Sequence, residues 1–99
     1  MNQVTLIVKA TINKEEINSF NTYIQNLLID YQKVNAKKVA QYNITETFIG
    51  NETPTFIAVY EFPDMDAFKS IYESKNYVEN MIPLRDKAFK SLEVYLSQV

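Results

Sequence analysis

Residues Thr55 to Phe62, reading TFIAVYEF, carry apolar side chains on both faces of an extended chain. Phe56, Ala58, Tyr60 and Phe62 fall on one side, and Ile57 and Val59 on the other. An extended segment that is apolar on both sides must be covered on both sides, which predicts a central strand. Pro63 ends it by removing a donor, and Asp64 stands ready to cap a following helix.

The same switch between strand and helix patterning runs through the rest of the chain. Val4, Leu6, Val8, Ala10 and Ile12 alternate with Gln3, Thr5, Ile7, Lys9 and Thr11, the period-two pattern of a half-buried strand. Asn13 then takes an N-cap position with Glu16 three residues on, as in a capping box. Ile17, Phe20, Ile24, Leu27, Leu28, Tyr31 and Val34 follow at spacings of three and four and predict a long amphipathic helix. Alternation resumes from about Lys38 to Ile49, with Tyr42, Ile44 and Phe48 on one side. Gly50, Asn51 and Pro54 supply turn chemistry, so this strand and the one from Thr55 form a β-hairpin.

After Asp64, the residues Met65, Phe68, Ile71 and Tyr72 mark the inner face of a second helix. Ser74 restarts that helix after a break, and Pro83 bends it again by lacking an N–H and restricting Ile82. Leu92, Val94 and Leu96 alternate with Glu93, Tyr95 and Ser97, so the chain closes on a strand. The order βαββαβ predicts an α+β, ferredoxin-like sandwich over residues 1–99, with two helices on one face of a four-stranded antiparallel sheet. The first and third strands belong at its centre, with the fourth and second at the edges.

Two helices cover one sheet face. The other carries Ile7, Ile57, Val59 and Tyr95, an apolar patch that a second copy of the chain would cover. Two such sheets packed face to face form a dimeric α/β barrel with helices outside.

Composition excludes several classes of chemistry. There is no His and no Cys among the 99 residues, so thiolate and imidazole zinc sites, disulfides and His-based nucleophilic catalysis are not expected. The single Gly excludes glycine-rich phosphate loops, and no metal or cofactor is expected. A net charge of −2 lacks the basic excess that nucleic-acid binding requires. The cluster Lys33, Lys37 and Lys38 suits the negative end of a helix. RNA-binding domains share the βαββαβ order, but the third strand lacks their basic and glycine positions. No apolar run approaches a membrane span and no signal segment is evident, so a cytoplasmic location is expected.

Within that frame, Tyr60-Glu61-Phe62-Pro63, then Ala67, Tyr72, Ser74, Tyr77 and Pro83-Leu84-Arg85, resemble the signature of the DUF1330 family. Ile71 stands where that signature has Trp, Ala36-Lys37 where it has Gly-Gly, and Asn13 where it has Asp. The resemblance implies membership of the dimeric α/β-barrel superfamily, alongside antibiotic-biosynthesis-type monooxygenases. It implies the fold and the homodimer, and no particular reaction.

The candidate ligand-binding residues are Tyr72, Tyr77, Arg85, Glu61 and Ser74. Arg85 follows a helix break, where its guanidinium can grip a carboxylate at two points or pair with Glu61 or Asp86. Glu61 ends the central strand on the face opposite to Tyr60 and Phe62; it can serve as a buried base or pair with Lys9 or Arg85. Tyr72 and Tyr77 each offer an apolar ring and a polar tip for a pocket wall, or for core packing. Ser74 suits an N-cap better than a nucleophile. These residues predict a pocket between helices and sheet for a small carboxylate or aromatic ligand. Cofactor-independent oxygenation or isomerisation and a purely structural protein-interaction dimer are the other two functions the sequence admits.

Overall fold

The computed structural model describes residues 3–98. Its elements are β1 (Val4–Ile12), α1 (Ile17–Lys33), β2 (Lys37–Asn43), β3 (Phe56–Phe62), α2 (Met65–Tyr72), α3 (Ile82–Ala88) and β4 (Phe89–Gln98). The strands form one antiparallel sheet in the order β2-β3-β1-β4, with β3 central as its two-sided apolar pattern requires and β1 central as the connections require. The helices lie on one face, so the Cα trace is a slab only 16 Å thick. No helix among the described residues is long and apolar enough to cross a membrane.

The sheet register sorts the side chains. Val4 faces Phe62, Leu6 faces Tyr60, Val8 faces Ala58 and Ala10 faces Phe56, all on the helix side. Val4, Leu6 and Phe62 are fully buried there, together with Tyr23, Tyr31, Tyr77 and Met81 from the helical layer. On the other side, Ile7 lies between Val59 and Tyr95, and Lys9 between Ile57 and Glu93. Tyr42 extends the second of these rows from β2, half to two-thirds exposed.

Helix starts and stops follow from local chemistry. The Asn13 side chain accepts from the Glu15 N–H, opening a 3-10 turn at Lys14–Glu16 that leads into α1. Glu16 accepts from the Ser19 hydroxyl instead of completing a reciprocal capping box. At the other end Asn35 adopts φ 61°, the Ala36 N–H bonds to the Tyr31 carbonyl and the Asn35 N–H to the Gln32 carbonyl. That is a Schellman stop built on Asn, which tolerates the left-handed conformation that Gly more often supplies. It explains how the chain dispenses with Gly at Ala36 and Lys37. Asp64 caps α2 by accepting from the Ala67 N–H at 2.8 Å.

Two expectations are corrected, and the helical break expected at Ser74 is present. The inner stripe of α1 is Tyr23, Leu27 and Tyr31, at a spacing of four, and Ile17 and Leu28 are exposed. Strand β2 ends at Asn43 rather than Ile49, because its partner β3 begins opposite, at Phe56, and Pro54 before it has no N–H to pair. The turn residues do lie in the β2–β3 connection, with Gly50 at φ 140°, but Phe48 and Ile49 on that loop stand 95% and 86% exposed. The helical segment before β4 is two helices. Ser74 breaks it, and a π-helical turn, Tyr77–Met81, joins the break to α3, with the Ile82 N–H reaching back five residues to the Tyr77 carbonyl. Pro83 follows at the start of α3. In a regular helix its ring would collide with the Glu79 carbonyl, and the wider turn relieves that collision.

Candidate functional site

A cavity of about 260 Å3 lies between the helices and the sheet. Its floor is Val8, Ala58 and Tyr60, with Val94 and Leu96 of β4 extending it to the sheet edge. Tyr23, Leu27 and Tyr31 of α1 hang over it, Phe68 and Tyr72 of α2 form one wall, and Tyr77 and Arg85 form another. Most of this lining is apolar, as small-molecule sites usually are, with a few polar groups converging on it.

Those polar groups are two tyrosine pairs, the hydroxyl of Tyr60 and one cation. The hydroxyls of Tyr23 and Tyr77 are 2.7 Å apart, and the hydroxyls of Tyr31 and Tyr72 are also hydrogen-bonded. Arg85 donates through Nη1 to the Tyr77 oxygen at 3.2 Å and places its guanidinium carbon 5.8 Å from the centre of the Tyr77 ring. Its Nε lies 3.7 Å from Asp86 Oδ1. The Tyr72 ring stacks on Phe68 at 4.7 Å and stands 4.7 Å from Tyr77, so three aromatic rings run along the wall, with Phe62 behind Phe68.

Burial pushes the phenols of Tyr23, Tyr31 and Tyr72 well above the usual tyrosine value; neighbouring phenols add to this for Tyr23 and Tyr72, while for Tyr31 the hydrogen bond with Tyr72 partly offsets it. All three are neutral donors at any physiological pH. Burial works against the Arg85 charge, but the hydrogen bond from Arg85 to Tyr77 and the field of that phenol outweigh it and favour the cation on balance. The cavity wall includes no Asp or Glu among the described residues.

Of the five residues singled out in the sequence, the structure brings Tyr72, Tyr77 and Arg85 together at the cavity. Ser74 sits beneath them. Its hydroxyl donates to the Ile71 carbonyl at 2.7 Å and accepts from the Tyr77 N–H at 3.0 Å, so it holds the turn that carries Tyr77. Glu61 is separated from the rest. It points from the opposite sheet face, with Thr5 and Lys37 as its cross-strand neighbours. Neither partner considered for it is available, since Lys9 pairs with Glu93 at 3.5 Å and Arg85 with Asp86. Tyr23, Tyr31 and Tyr60 belong to the cavity without having been singled out as site residues. Tyr23 and Tyr31 are eight residues apart, two turns of one helix stripe, and that spacing is the signal that could have found them.

Many solved structures share this architecture, among them the following three. A protein of unknown function from Rhodopseudomonas palustris superposes with a TM-score of 0.84 at 14% identity, over 97% of this chain and 81% of that one. A dimeric protein of unknown function with a ferredoxin-like fold from Bacteroides fragilis gives 0.60 at 14% identity, over 98% and 96%. A putative antibiotic biosynthesis monooxygenase from Bacteroides thetaiotaomicron gives 0.59 at 18% identity, over 97% and 87%. The fold is thus that of the ferredoxin-like α+β proteins. No curated protein matches the sequence. The family model of DUF1330, a domain of unknown function, matches residues 4–97, and the chain belongs to that family.

Proposed function

We propose that this protein is a small homodimeric binding protein that holds a small organic carboxylate or aromatic ligand in the cavity between helices and sheet. The observation that carries this reading is the cavity wall itself: stacked aromatic rings with one cation and paired hydroxyls at one end, and no carboxylate among its described residues. Such a wall favours flat, electron-rich or anionic molecules. Purified protein should gain several degrees of melting temperature with benzoate-class ligands at concentrations well above their Kd. Arg85→Ala should reduce that gain. Absence of any shift across a panel of aromatic acids and neutral aromatics would count against the reading.

The homodimer is supported by the open sheet face, where Ile7, Ile57, Val59, Tyr42 and Tyr95 form two adjoining rows. Val59→Glu would place a charge from each copy in the apolar centre of a two-fold interface, where pairing is impossible. Light scattering should read a dimer for the natural sequence and a folded monomer for the variant. A variant that stays dimeric would remove this face from the interface.

A second reading, cofactor-independent oxygenation or isomerisation, is favoured by the likeness to the putative monooxygenase. With no His in the chain and no carboxylate in the described cavity wall, the protein would position such a substrate rather than deprotonate it. That reading demands a substrate acidic enough to ionise unaided.

A further inference from the structure

The cavity does not end at Arg85. Arg85, Phe89, Leu92 and Val94 line it from within and also line a surface groove of about 580 Å3 on its outer side. The two spaces form one channel, apolar inside and charged at its mouth, with the guanidinium at the joint. The local sequence builds that joint. Helix α3 passes into β4 with no loop between Ala88 and Phe89. The Phe89 ring packs inward against Phe20 and Tyr23, and the next residue, Lys90, is exposed. Ile12 stands opposite Phe89 and Thr11 opposite Ser91, so Lys90 is the extra residue of a β-bulge. Bulges at sheet edges re-aim a side chain, and this one sets a lysine on the groove wall.

Charge divides this channel in two. In the cavity the lining is mostly apolar, and the hydroxyls of Tyr23 and Tyr77, and of Tyr31 and Tyr72, bond to one another. A carboxylate drawn in that far would lose its water, a cost that a single cation at one end offsets only in part. In the groove, Arg85 and Lys90 stand against Asp86 alone, and the Arg85 side chain is 32% exposed. Lys90 has no ion-pair partner among the described residues. An anion placed there meets two cations and keeps part of its hydration.

We propose that the channel takes a ligand in two parts, a planar apolar body in the cavity and a carboxylate tied to it by a short flexible spacer and held in the groove by Arg85 and Lys90. The inference rests on the ligand-binding reading above and names its ligand class, arylalkanoic acids rather than acids whose carboxylate is fixed to the ring. The ring lies along the stacked Phe68 and Tyr72, where aromatic faces favour a flat partner. The spacer passes Phe89 and Leu92, the apolar residues common to cavity and groove. The carboxylate then meets the solvent-facing side of Arg85 without entering the apolar interior.

Four probes test this: benzoate, 3-phenylpropanoate and the neutral amide of each, titrated calorimetrically against the full chain. Comparing each acid with its own amide removes the contribution of the added methylenes, which alone would tighten binding. Benzoate should bind less than about threefold more tightly than benzamide, and 3-phenylpropanoate about tenfold or more above its amide. Lys90→Gln, a change at the surface, should cut the 3-phenylpropanoate ratio by about threefold. Arg85→Met should bring it to about one. Lys87→Gln removes the same charge from α3 outside the groove and should leave the ratio as it was. An acid-to-amide ratio that does not grow with the spacer, that Lys90→Gln leaves unchanged, or that Lys87→Gln lowers equally would overturn the inference and leave the ligand-binding reading standing. Failure of all four probes to bind would remove that reading and this one with it.

Discussion

Raising the pH above about 10 should unfold this protein within roughly two pH units, with ionisation of the buried tyrosines and loss of structure occurring as one event. Tyr23, Tyr31 and Tyr72 are held protonated in the folded state, because burial raises all three above the ordinary phenol value. In the unfolded chain each ionises near pH 10. Above that pH the unfolded state binds fewer protons than the folded one, so stability is complete below the unfolded value and falls as pH climbs towards the folded ones. Each retained proton costs about 1.4 kcal/mol per pH unit, so three together give a slope of about 4 kcal/mol per pH unit. A domain of this size has only about 5–15 kcal/mol to lose. Ultraviolet absorbance of tyrosinate and far-ultraviolet circular dichroism, followed on one sample, should show coincident transitions. Tyrosinate formation by more than the two exposed residues, Tyr42 and Tyr95, with the fold intact would show that the cluster is open to water.

The second large effect is expected at Phe62. Its ring is fully buried and meets Tyr31 at 5.0 Å and Phe68 at 5.8 Å, both edge to face. Truncation in Phe62→Ala removes the transfer free energy of the ring and leaves a void beside Tyr31, at a cost of about 3–5 kcal/mol. For about 100 residues each kcal/mol moves the melting temperature by about 4–8 °C, so a drop on the order of 15–30 °C is expected. Phe62→Leu keeps most of the volume and should lose much less. Comparable losses in the two variants would mean that the aromatic contacts, not the volume, dominate.

What could be read in advance depended on how local the cause was. Side-chain alternation alone marks β1, β3 and β4, places Glu61 on the face away from Tyr60 and Phe62, and identifies β3 as central. Asp64 and Ser74 announce themselves as caps because a cap is chemistry between residues a few positions apart. The end of β2 was not legible. Residues Ile44 to Ile49 keep alternating, but a strand lasts only as long as its neighbour, and β3 starts at Phe56. The partner of Lys9 was hidden for the same reason, since the register that sets Glu93 beside it belongs to β1 and β4 jointly. Tyr23 escaped because α1 has more apolar residues than its inner stripe can hold. Which of them turn inward was decided by α3, packed alongside.

The π-helical turn at Tyr77–Met81 also sets the phase of everything after it. Eight residues separate Tyr77 from Arg85, which in an unbroken α-helix would leave their side chains roughly 80° apart around the axis. One residue accommodated in a wider turn takes back about 100°, bringing Arg85 round to the side of Tyr77, where its guanidinium rests near the phenol. The contact that charges one end of the cavity is therefore a matter of residue count and turn width together. Removing Val78, Glu79 or Asn80 would let a regular α-turn replace the wider one with the arginine still about 20° from the phenol, whereas forcing a regular turn on the present residue count would leave it about 80° away.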